Sequence, residues 1–255
     1  MAVEIKTDAE IEMMRGAGRV VGQTLQLLRD AVRPGVTAKN LDDIVRKEYA
    51  KRGVTPTFLN YAVPGAPPYP ATVCVSVNDE IVHGIPTNKR LFKSGDIVSI
   101  DLGATVNGWV GDSAITVACG KVSEEATRLI EVTEEALWAG IHAAHAGARL
   151  GDIGAAVQEV AERNNFSVVR EYVGHGVGRT MHQDPQVPNY GTPGRGEVLK
   201  RGTVIAIEPM VNVGDWHTKR MPDNWTVVTR DGSLSAHFEH TLAVTDNGPE
   251  VLTLP

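Results

Sequence analysis

Apolar residues in the first fifty positions recur every three or four residues, which is the spacing of one buried helix face. Thr7-Asp8-Ala9-Glu10 has the residues of a capping box, so a first helix is predicted to begin there and to run to about Val32. A second helix is predicted from Thr37 to about Gly53. The apolar positions that define the two faces are Ile11, Met14, Ala17, Val21, Leu25 and Leu28, then Leu41, Ile44, Val45 and Tyr49.

The same arrangement of two helices around a glycine returns in the second half of the chain. Ser123 is predicted to open a long helix that reaches about Ala146, and a shorter helix follows Gly147. Gly35 and Gly147 are separated by the same offset as Leu41 and Ile153, Val45 and Val157, and Lys51 and Arg163. A unit that repeats once predicts two structurally similar halves.

Short apolar runs between Gly- and Pro-rich segments follow each pair of helices, and these runs are typical of strands. The predicted strands are Thr72–Val77, Ile97–Leu102, Val110–Ala118, Val168–Val173, Val204–Ile207, Trp225–Val228 and His237–Val244. Helices and strands in mixed order, with an Asn-Gly hairpin signal at 107–108, predict an α+β fold.

The composition is typical of a globular cytoplasmic protein. The chain has 255 residues, 42% of them hydrophobic, and a net charge of −6 without a basic run, which argues against nucleic acid as the main ligand. Cys74 and Cys119 lie in apolar stretches and are predicted to be buried free thiols. The first residues carry no signal-peptide core and no run reaches membrane-spanning length, so we expect a cytoplasmic protein that does not bind a membrane. We also expect it to be a monomer.

Two aspartates flank the Asn107-Gly108 turn. With a two-residue turn there, Gly103 faces Asp112, and Asp101 lies two residues from Gly103 on the same side of its strand. The two carboxylates then form a diagonal pair within reach of a shared cation, and the missing side chain at Gly103 leaves room between them. Two aspartates that face water beside a turn are the alternative, and the hairpin alone leaves both open.

Glu208 and Glu239 also stand at unusual places, since acidic residues are depleted in strands. Glu208 ends the apolar run 203–207, where a partly buried carboxylate needs a cation. Strand alternation places Glu239 on one face with His237 and Thr241. A solvent-exposed strand end and a solvated polar face are the alternatives for these two glutamates.

Histidines complete the candidate site. His175 lies within Gly174-His175-Gly176-Val177-Gly178, whose glycines allow close backbone approach and unusual backbone conformations, and His182 follows this segment. His83 precedes a Gly/Pro turn, where it is either a core histidine or a site residue. Four carboxylates with these histidines predict a pair of divalent cations, and therefore hydrolysis. The sequence has no His-Glu-x-x-His, Cys-x-x-Cys, EF-hand, Gly-x-Ser-x-Gly or Walker A motif, which excludes those classes.

These segments together closely resemble the type I methionine aminopeptidases. The resemblance rests on Asp101 and Asp112, Gly174–Gly178 with His182, Ile207-Glu208-Pro209-Met210, Phe238-Glu239-His240-Thr241, Ser76–Pro86 and Asp223–Val227. It covers nearly the whole chain and implies the pita-bread fold, in which two pseudo-symmetric halves surround a curved antiparallel sheet. It also implies a single catalytic metallopeptidase domain over residues 1–255, of the bacterial form without an N-terminal zinc-binding extension.

The resemblance implies two divalent metal ions per chain. Asp101 would bind one ion, while Asp112 and Glu239 would bridge both. His175 and Glu208 would complete the ligands of the second ion. Carboxylates with one imidazole and no thiolate suit Mn(II), Fe(II) or Co(II), with Zn(II) as a further candidate.

The implied reaction removes the N-terminal methionine from nascent polypeptides whose second residue is small. Glu208 would move protons as general base and acid, and His182 would stabilise the oxyanion. His83 would orient the substrate amide, so that His83 and His182 are catalytic residues without being ligands. The mature chain is then itself expected to begin at Ala2, since Met1 is followed by a small residue.

The resemblance also implies a methionine pocket, formed by Tyr69, Cys74, Met181 and Trp225 together with His83 and His182. The chain departs from the common bacterial pattern at two places. Phenylalanine often stands at the position of Met181, and the stretch 61–68 is longer and richer in proline. Two alternatives share the fold: a proline-specific aminopeptidase or prolidase, which usually carries an extra N-terminal domain, and an inactive binding protein that has lost ligands.

Overall fold

The computed structural model describes residues 3–255 as a mixture of helices and antiparallel strands, in agreement with the predicted α+β class. Met1 and Ala2, and with them the expected mature terminus, lie outside the described residues. The helices are α1 (Asp8–Ala31), α2 (Ala38–Arg52), α3 (Glu124–Ala143) and α4 (Leu150–Arg163). The strands are β1 (Thr55–Pro56), β2 (Cys74–Val77), β3 (Glu80–Val82), β4 (Ile97–Val106), β5 (Trp109–Ala118), β6 (Ser167–Val168), β7 (Gly174–Gly176), β8 (Gln183–Val187), β9 (Val204–Ile207), β10 (Met210–Asn212), β11 (Thr218–Arg220), β12 (Val227–Thr229), β13 (Ser235–His237), β14 (Glu239–Thr245) and β15 (Gly248–Val251).

The helices begin at the caps that the sequence predicts. The Thr7 hydroxyl accepts a hydrogen bond from the N–H of Glu10, whose carboxylate accepts one from the N–H of Thr7. Thr37 caps α2 in the same way, and the Ser123 hydroxyl caps α3. Helix α3 ends at Ala143 rather than at the predicted Ala146, because Ala144 already leaves the helical conformation.

The predicted repeat of two halves is visible in the backbone. Gly35 and Gly147 have φ angles of 87° and 88°, in the left-handed region that glycine adopts without strain. The N–H of Gly35 donates to the Phe92 carbonyl oxygen and the N–H of Gly147 donates to the Leu199 carbonyl oxygen, both at 2.9 Å. The cap residue of the following helix forms an antiparallel bridge with the residue before that acceptor: Thr37 with Leu91, and Arg149 with Val198.

A nine-stranded antiparallel sheet forms the centre of the molecule. Its strand order is β1-β4-β5-β14-β9-β7-β8, with β2 also paired to β4 and β15 to β14. The β4–β5 hairpin has the predicted register, in which Gly103 faces Asp112. Asn107 and Gly108 both have positive φ angles, of 51° and 77°, as a two-residue turn of this kind requires.

Helices cover one face of the sheet. α1 packs against β4 and β5, and α3 packs against α4 and contacts the strands of the second half. The apolar faces of the helices and the sheet form one buried cluster, which includes Leu28, Leu41, Ile100, Leu137 and Ile207. Such continuous burial of aliphatic side chains supplies most of the stability of a chain of this size. No helix among residues 3–255 is both long enough and apolar enough to span a membrane.

Several predicted strands differ from the structure in their bounds or in their continuity. Of the predicted strand Val168–Val173, only Val168 lies in an observed strand, β6, which pairs with β10. The strand predicted from Trp225 begins at Val227, because the Asp223 carboxylate accepts hydrogen bonds from the N–H groups of residues 225 and 226 in a turn. His237–Val244 is two strands, since the chain leaves β10 at Phe238 and joins β5 and β9 from Glu239 onward.

Candidate metal centre

The five predicted ligands come from five neighbouring strands of the sheet. Their order in the sheet is β4-β5-β14-β9-β7. Asp101 lies on β4, Asp112 on β5, His175 on β7 and Glu239 at the start of β14, while Glu208 directly follows β9. Residues far apart in the chain therefore meet because antiparallel pairing places their strands side by side.

Three of these side chains form a compact group. One ligand atom from each of Asp112, His175 and Glu239 lies within 4.8 Å of the others. Glu208 stands beside them, with its Oε1 atom 3.6 Å from Nε2 of His175. Asp101 lines the same cavity. The structure thus brings together all five residues that the sequence nominates.

Hydroxyl groups fix the two strands that carry Asp112 and Glu239. The Thr241 hydroxyl donates to the Asp112 carbonyl oxygen at 2.7 Å and accepts from the Asp112 N–H at 3.1 Å. The Ser113 hydroxyl donates to the Glu239 carbonyl oxygen at 2.5 Å. The backbone beneath both carboxylates is therefore held independently of any ion, which preorganises the site.

The glycines around His175 serve close backbone approach. A Cβ atom at Gly174 would lie 2.3 Å from the Ala206 carbonyl oxygen, and one at Gly176 would lie 2.2 Å from the Asp184 carbonyl oxygen. Both glycines have negative φ angles, so the expected unusual conformation is not used at either position. Nδ1 of His175 lies 3.0 Å from the Gly176 carbonyl oxygen, which places the ring proton on Nδ1 and leaves Nε2 free to bind an ion.

The gap predicted beside Gly103 does not exist. A Cβ atom there would lie 2.9 Å from Cε1 of Phe58 and 3.0 Å from Cβ of Thr57. The prediction that this glycine leaves room between Asp101 and Asp112 is therefore wrong. The glycine instead admits the Phe58 ring, which lines the cavity.

Burial raises the pKa of all four carboxyl groups. The pKa of Asp112 is raised to about 7 by burial. The pKa values of Asp101, Glu208 and Glu239 are raised well above their ordinary range, first by burial and then by the neighbouring carboxylates. At neutral pH such groups are incompletely ionised unless a cation compensates their charge.

The unpaired oxygens of these carboxylates show that the residues fit a divalent ion. Asp101 Oδ1, Asp112 Oδ1 and Glu239 Oε1 are buried without a hydrogen-bond partner. Among residues 3–255, the only basic side chains within 4.0 Å of the four carboxylates are two histidines beside Glu208: His175, at 3.6 Å, and His237, at 3.9 Å. Burial lowers the pKa of both imidazoles to about 3, so neither supplies a positive charge near pH 7. An oxygen-rich donor set with an imidazole and without a thiolate is suited to Mn(II), Fe(II) or Co(II).

The metal-free protein is expected to lose stability as the pH rises above about 6.5. A carboxyl group whose pKa is raised by folding destabilises the folded state as the pH rises from its ordinary pKa of about 4 to its folded pKa, and the loss is complete above that value. The loss from Asp112 therefore ends near pH 7, whereas Asp101, Glu208 and Glu239, whose pKa values are raised well above their ordinary range, carry it through the window above pH 6.5. The buried histidines act in the opposite sense, but only below their ordinary pKa of about 6.5. For His175 and His237, burial lowers the folded pKa to about 3.

Thermal melts of chelated protein test this expectation. The Tm should fall between about pH 6.5 and 8, and saturating Mn(II) should remove the fall, because the bound cation compensates the ionised carboxylates. A Tm that stays constant across this range without metal would contradict the electrostatic account.

An apolar pocket adjoins the carboxylates. Tyr69, Cys74, Met181 and Trp225 are at most 7% exposed, belong to one buried cluster and line the same cavity as the carboxylates. The rings of Tyr69 and Trp225 meet edge to face, with centroids 5.1 Å apart. The structure therefore groups the four predicted pocket residues beside the predicted metal ligands.

His83 and His182 line this cavity as well. His83 has a φ angle of 61°, which is uncommon for a residue with a side chain and is typical of functional sites. The Tyr69 hydroxyl donates to the carbonyl oxygen of Gly84 at 2.8 Å and so holds the turn that follows His83. His182 lies at the mouth of the cavity, where its ring is 4.3 Å from that of His175, measured between centroids.

Several cavity residues were missed by sequence reasoning. Phe58, Tyr61, Val63 and Tyr172 line the cavity, and His237 approaches Glu208 with a buried Nε2 atom that has no hydrogen-bond partner. Strand alternation places His237 on the same face as Glu239, and this could have identified His237 as a residue of the site. The first three residues lie in or near the proline-rich stretch, whose path no periodic pattern predicts.

Comparisons with known proteins agree with this site. The sequence profile of metallopeptidase family M24 matches residues 12–246. A methionine aminopeptidase of Clostridium acetobutylicum is 51% identical over 250 residues, which are 98% of each chain. The crystal structure of a methionine aminopeptidase from Thermotoga maritima superposes with a TM-score of 0.96 at 47% identity and covers both chains completely.

A more distant structure shares the fold alone. An Xaa-Pro dipeptidase from Bacillus anthracis is 22% identical and has a TM-score of 0.76, with 98% of this chain and 61% of that chain covered. The expected pita-bread fold is thus confirmed. The match to the family profile, and an identity near one half over the whole length, decide the assignment: the chain belongs to metallopeptidase family M24 and, within it, to the methionine aminopeptidases.

Proposed function

We propose that this chain removes the N-terminal methionine from newly made polypeptides whose second residue is small. The observation that carries the proposal is the buried group of Asp112, His175 and Glu239, with unpaired carboxylate oxygens, beside an apolar pocket. A peptide terminus that enters the cavity would place its first side chain in the pocket and its first peptide bond near the carboxylates.

The proposed metal content is two divalent ions per chain. Asp101 would hold one ion, Asp112 and Glu239 would hold both, and His175 with Glu208 would complete the second. The bound ions would supply the positive charge that activates water near neutral pH and polarises a carbonyl group. The fixed backbone at Asp112 and Glu239 supports this arrangement.

Three residues of the chain would act on the substrate. Glu208, largely buried next to His175, would accept a proton from the attacking water and deliver it to the leaving amine. His182, at the cavity mouth, would donate a hydrogen bond to the carbonyl oxygen as negative charge develops there. His83, held by its strained backbone, would orient the substrate amide.

The pocket would select methionine by its shape and by contacts between its aromatic rings and the thioether sulfur. Tyr69, Cys74, Met181 and Trp225 offer an apolar space for an unbranched side chain, and a thioether sulfur is stabilised by contact with aromatic rings. Nascent chains would be the substrates, and a cytoplasmic enzyme would meet them there. One chain supplies every residue to which the proposal gives a role, so a monomer would suffice for the proposed reaction.

A panel of short peptides tests the proposal. Mn(II)-loaded protein is expected to release the first residue of Met-Ala-Ser, at a rate at least about tenfold above that for Met-Leu-Ser, since crowding or a misfitting methylene group costs about 1–3 kcal/mol. Ala-Ala-Ser controls for the methionine pocket, and Ala-Pro-Ala tests the proline-specific alternative. Preferential cleavage of Ala-Pro-Ala would overturn the proposal in favour of that alternative, and cleavage of none of the four would favour an inactive protein.

A further inference from the structure

A tyrosine that the sequence did not nominate touches one of the two histidines outside the ligand set. Oη of Tyr61 lies 2.5 Å from Nδ1 of His182, and the two rings meet edge to face with centroids 5.4 Å apart. The two residues are separated by 121 positions in the chain. Among residues 3–255, Tyr61 is the hydrogen-bond partner of the His182 ring.

The position of Tyr61 is fixed by the proline-rich loop, residues 62–68. The N–H of Asn60 donates to the Tyr69 carbonyl oxygen at 2.8 Å, and the N–H of Tyr69 donates to the Tyr61 carbonyl oxygen at 2.9 Å, which closes the base of the loop. The indole N–H of Trp225 donates to the Pro67 carbonyl oxygen at 2.8 Å and ties the tip of the loop to the pocket. Tyr61 therefore stands on a backbone that is held at both ends.

The surroundings of His182 decide which ring nitrogen carries the proton. A neutral imidazole has one N–H donor and one acceptor, and the partner of one nitrogen sets the role of the other. A phenol is a better donor than acceptor, so Tyr61 donates to Nδ1. Nε2, on the side of the ring away from Tyr61, then bears the proton.

We propose that Tyr61 is a positioning residue that holds His182 in the tautomer with its proton on Nε2, ready to donate to the substrate carbonyl oxygen. The catalytic part of this inference rests on the proposed function, whereas the tautomer itself does not. Without the Tyr61 hydroxyl, the exposed imidazole ring is free to rotate and to exchange tautomers. The donor then faces the substrate only part of the time.

The tautomer is measured by long-range proton–nitrogen NMR on protein labelled with ¹⁵N-histidine, first metal-free and then loaded with diamagnetic Zn(II). The spectra are recorded at about pH 8, above the ordinary histidine pKa of about 6.5. The His182 signals are assigned by their loss in His182→Ala. We expect a protonated Nε2 and an unprotonated Nδ1 in the wild type, and averaged nitrogen shifts in Tyr61→Phe. A wild-type proton on Nδ1, or shifts unchanged in Tyr61→Phe, would overturn the inference.

Kinetics with Met-Ala-Ser separate positioning from simple pocket filling. Tyr61→Phe keeps the ring and its packing, so KM should stay unchanged while kcat falls about 2–10-fold, the usual effect of one net hydrogen bond. Tyr190→Phe, which removes a hydroxyl remote from the cavity, is the matched control and should change neither constant. A raised KM with unchanged kcat would make Tyr61 a pocket wall only. If the wild type releases no methionine, the proposed function fails, and the NMR result still decides the tautomer.

Discussion

Replacing Glu208 by Gln is expected to lower kcat for Met-Ala-Ser by roughly 10²–10⁴-fold, the usual contribution of a general acid–base group. The substitution keeps the size and shape of a side chain that is 14% exposed and lies 3.6 Å from His175. It removes the ability to accept and return a proton. Steady-state kinetics at saturating Mn(II) measure the effect.

Metal content is measured on the same sample, because Glu208 is also a proposed ligand. Glu159→Gln removes an exposed carboxylate of α4, far from the cavity, and should leave kcat unchanged. If Glu208→Gln retained nearly wild-type kcat with full metal, proton transfer would have to be assigned to another group.

Asp112→Asn and His182→Ala are expected to separate metal binding from substrate activation. Asp112 is 3% exposed and belongs to the compact ligand group, so loss of its charge should lower the metal content measured by elemental analysis. His182 is not one of the five proposed ligands, so His182→Ala should keep its metal. Its kcat should fall about 10²–10³-fold, the usual effect of deleting one donor to the oxyanion.

His145→Ala is the matched control for the second variant, since His145 is exposed after α3 and away from the site. It should change neither metal content nor kcat. Equal metal loss in Asp112→Asn and His182→Ala would place His182 among the ligands and would remove its proposed role as a donor.

Local patterns predicted the elements that depend on local chemistry. The Asn107-Gly108 turn fixed the pairing of Gly103 with Asp112, because turn length sets register in a hairpin. The capping residues Thr7 and Thr37 also act locally, because each side chain accepts a hydrogen bond from the backbone N–H three residues later. They therefore marked the starts of their helices. Gly35 and Gly147 are separated by the same number of positions as the matching residues around them, and this repeat predicted the two halves. The two glycines adopt nearly the same φ angle.

Long-range packing was beyond such patterns. Nothing near Gly103 in sequence indicates that Phe58 fills the space beside it. The break at Phe238 arises because one chain segment serves two sheets, a choice that depends on strands β9 and β10. The contact of Tyr61 with His182 likewise depends on how a proline-rich loop closes over a distant cavity.

The grouping of the site residues was predicted mainly through the resemblance. Residue types alone left each acidic residue with a solvent-exposed alternative. Sheet order settles their placement, since β5, β14, β9 and β7 are consecutive neighbours and carry or adjoin Asp112, Glu239, Glu208 and His175. Antiparallel pairing between strands so far apart in sequence cannot be derived from the residues of each strand.

The central claim is that the buried carboxylate cluster makes methionine removal depend on a divalent cation. Its most direct test is hydrolysis of the peptide Met-Ala-Val-Glu, the sequence of this chain's own first residues, by chelated protein titrated with Mn(II). The account predicts no cleavage without metal, and release of methionine alone as the ion is added. Release of methionine by fully chelated protein, or cleavage at any other bond when metal is bound, would contradict it.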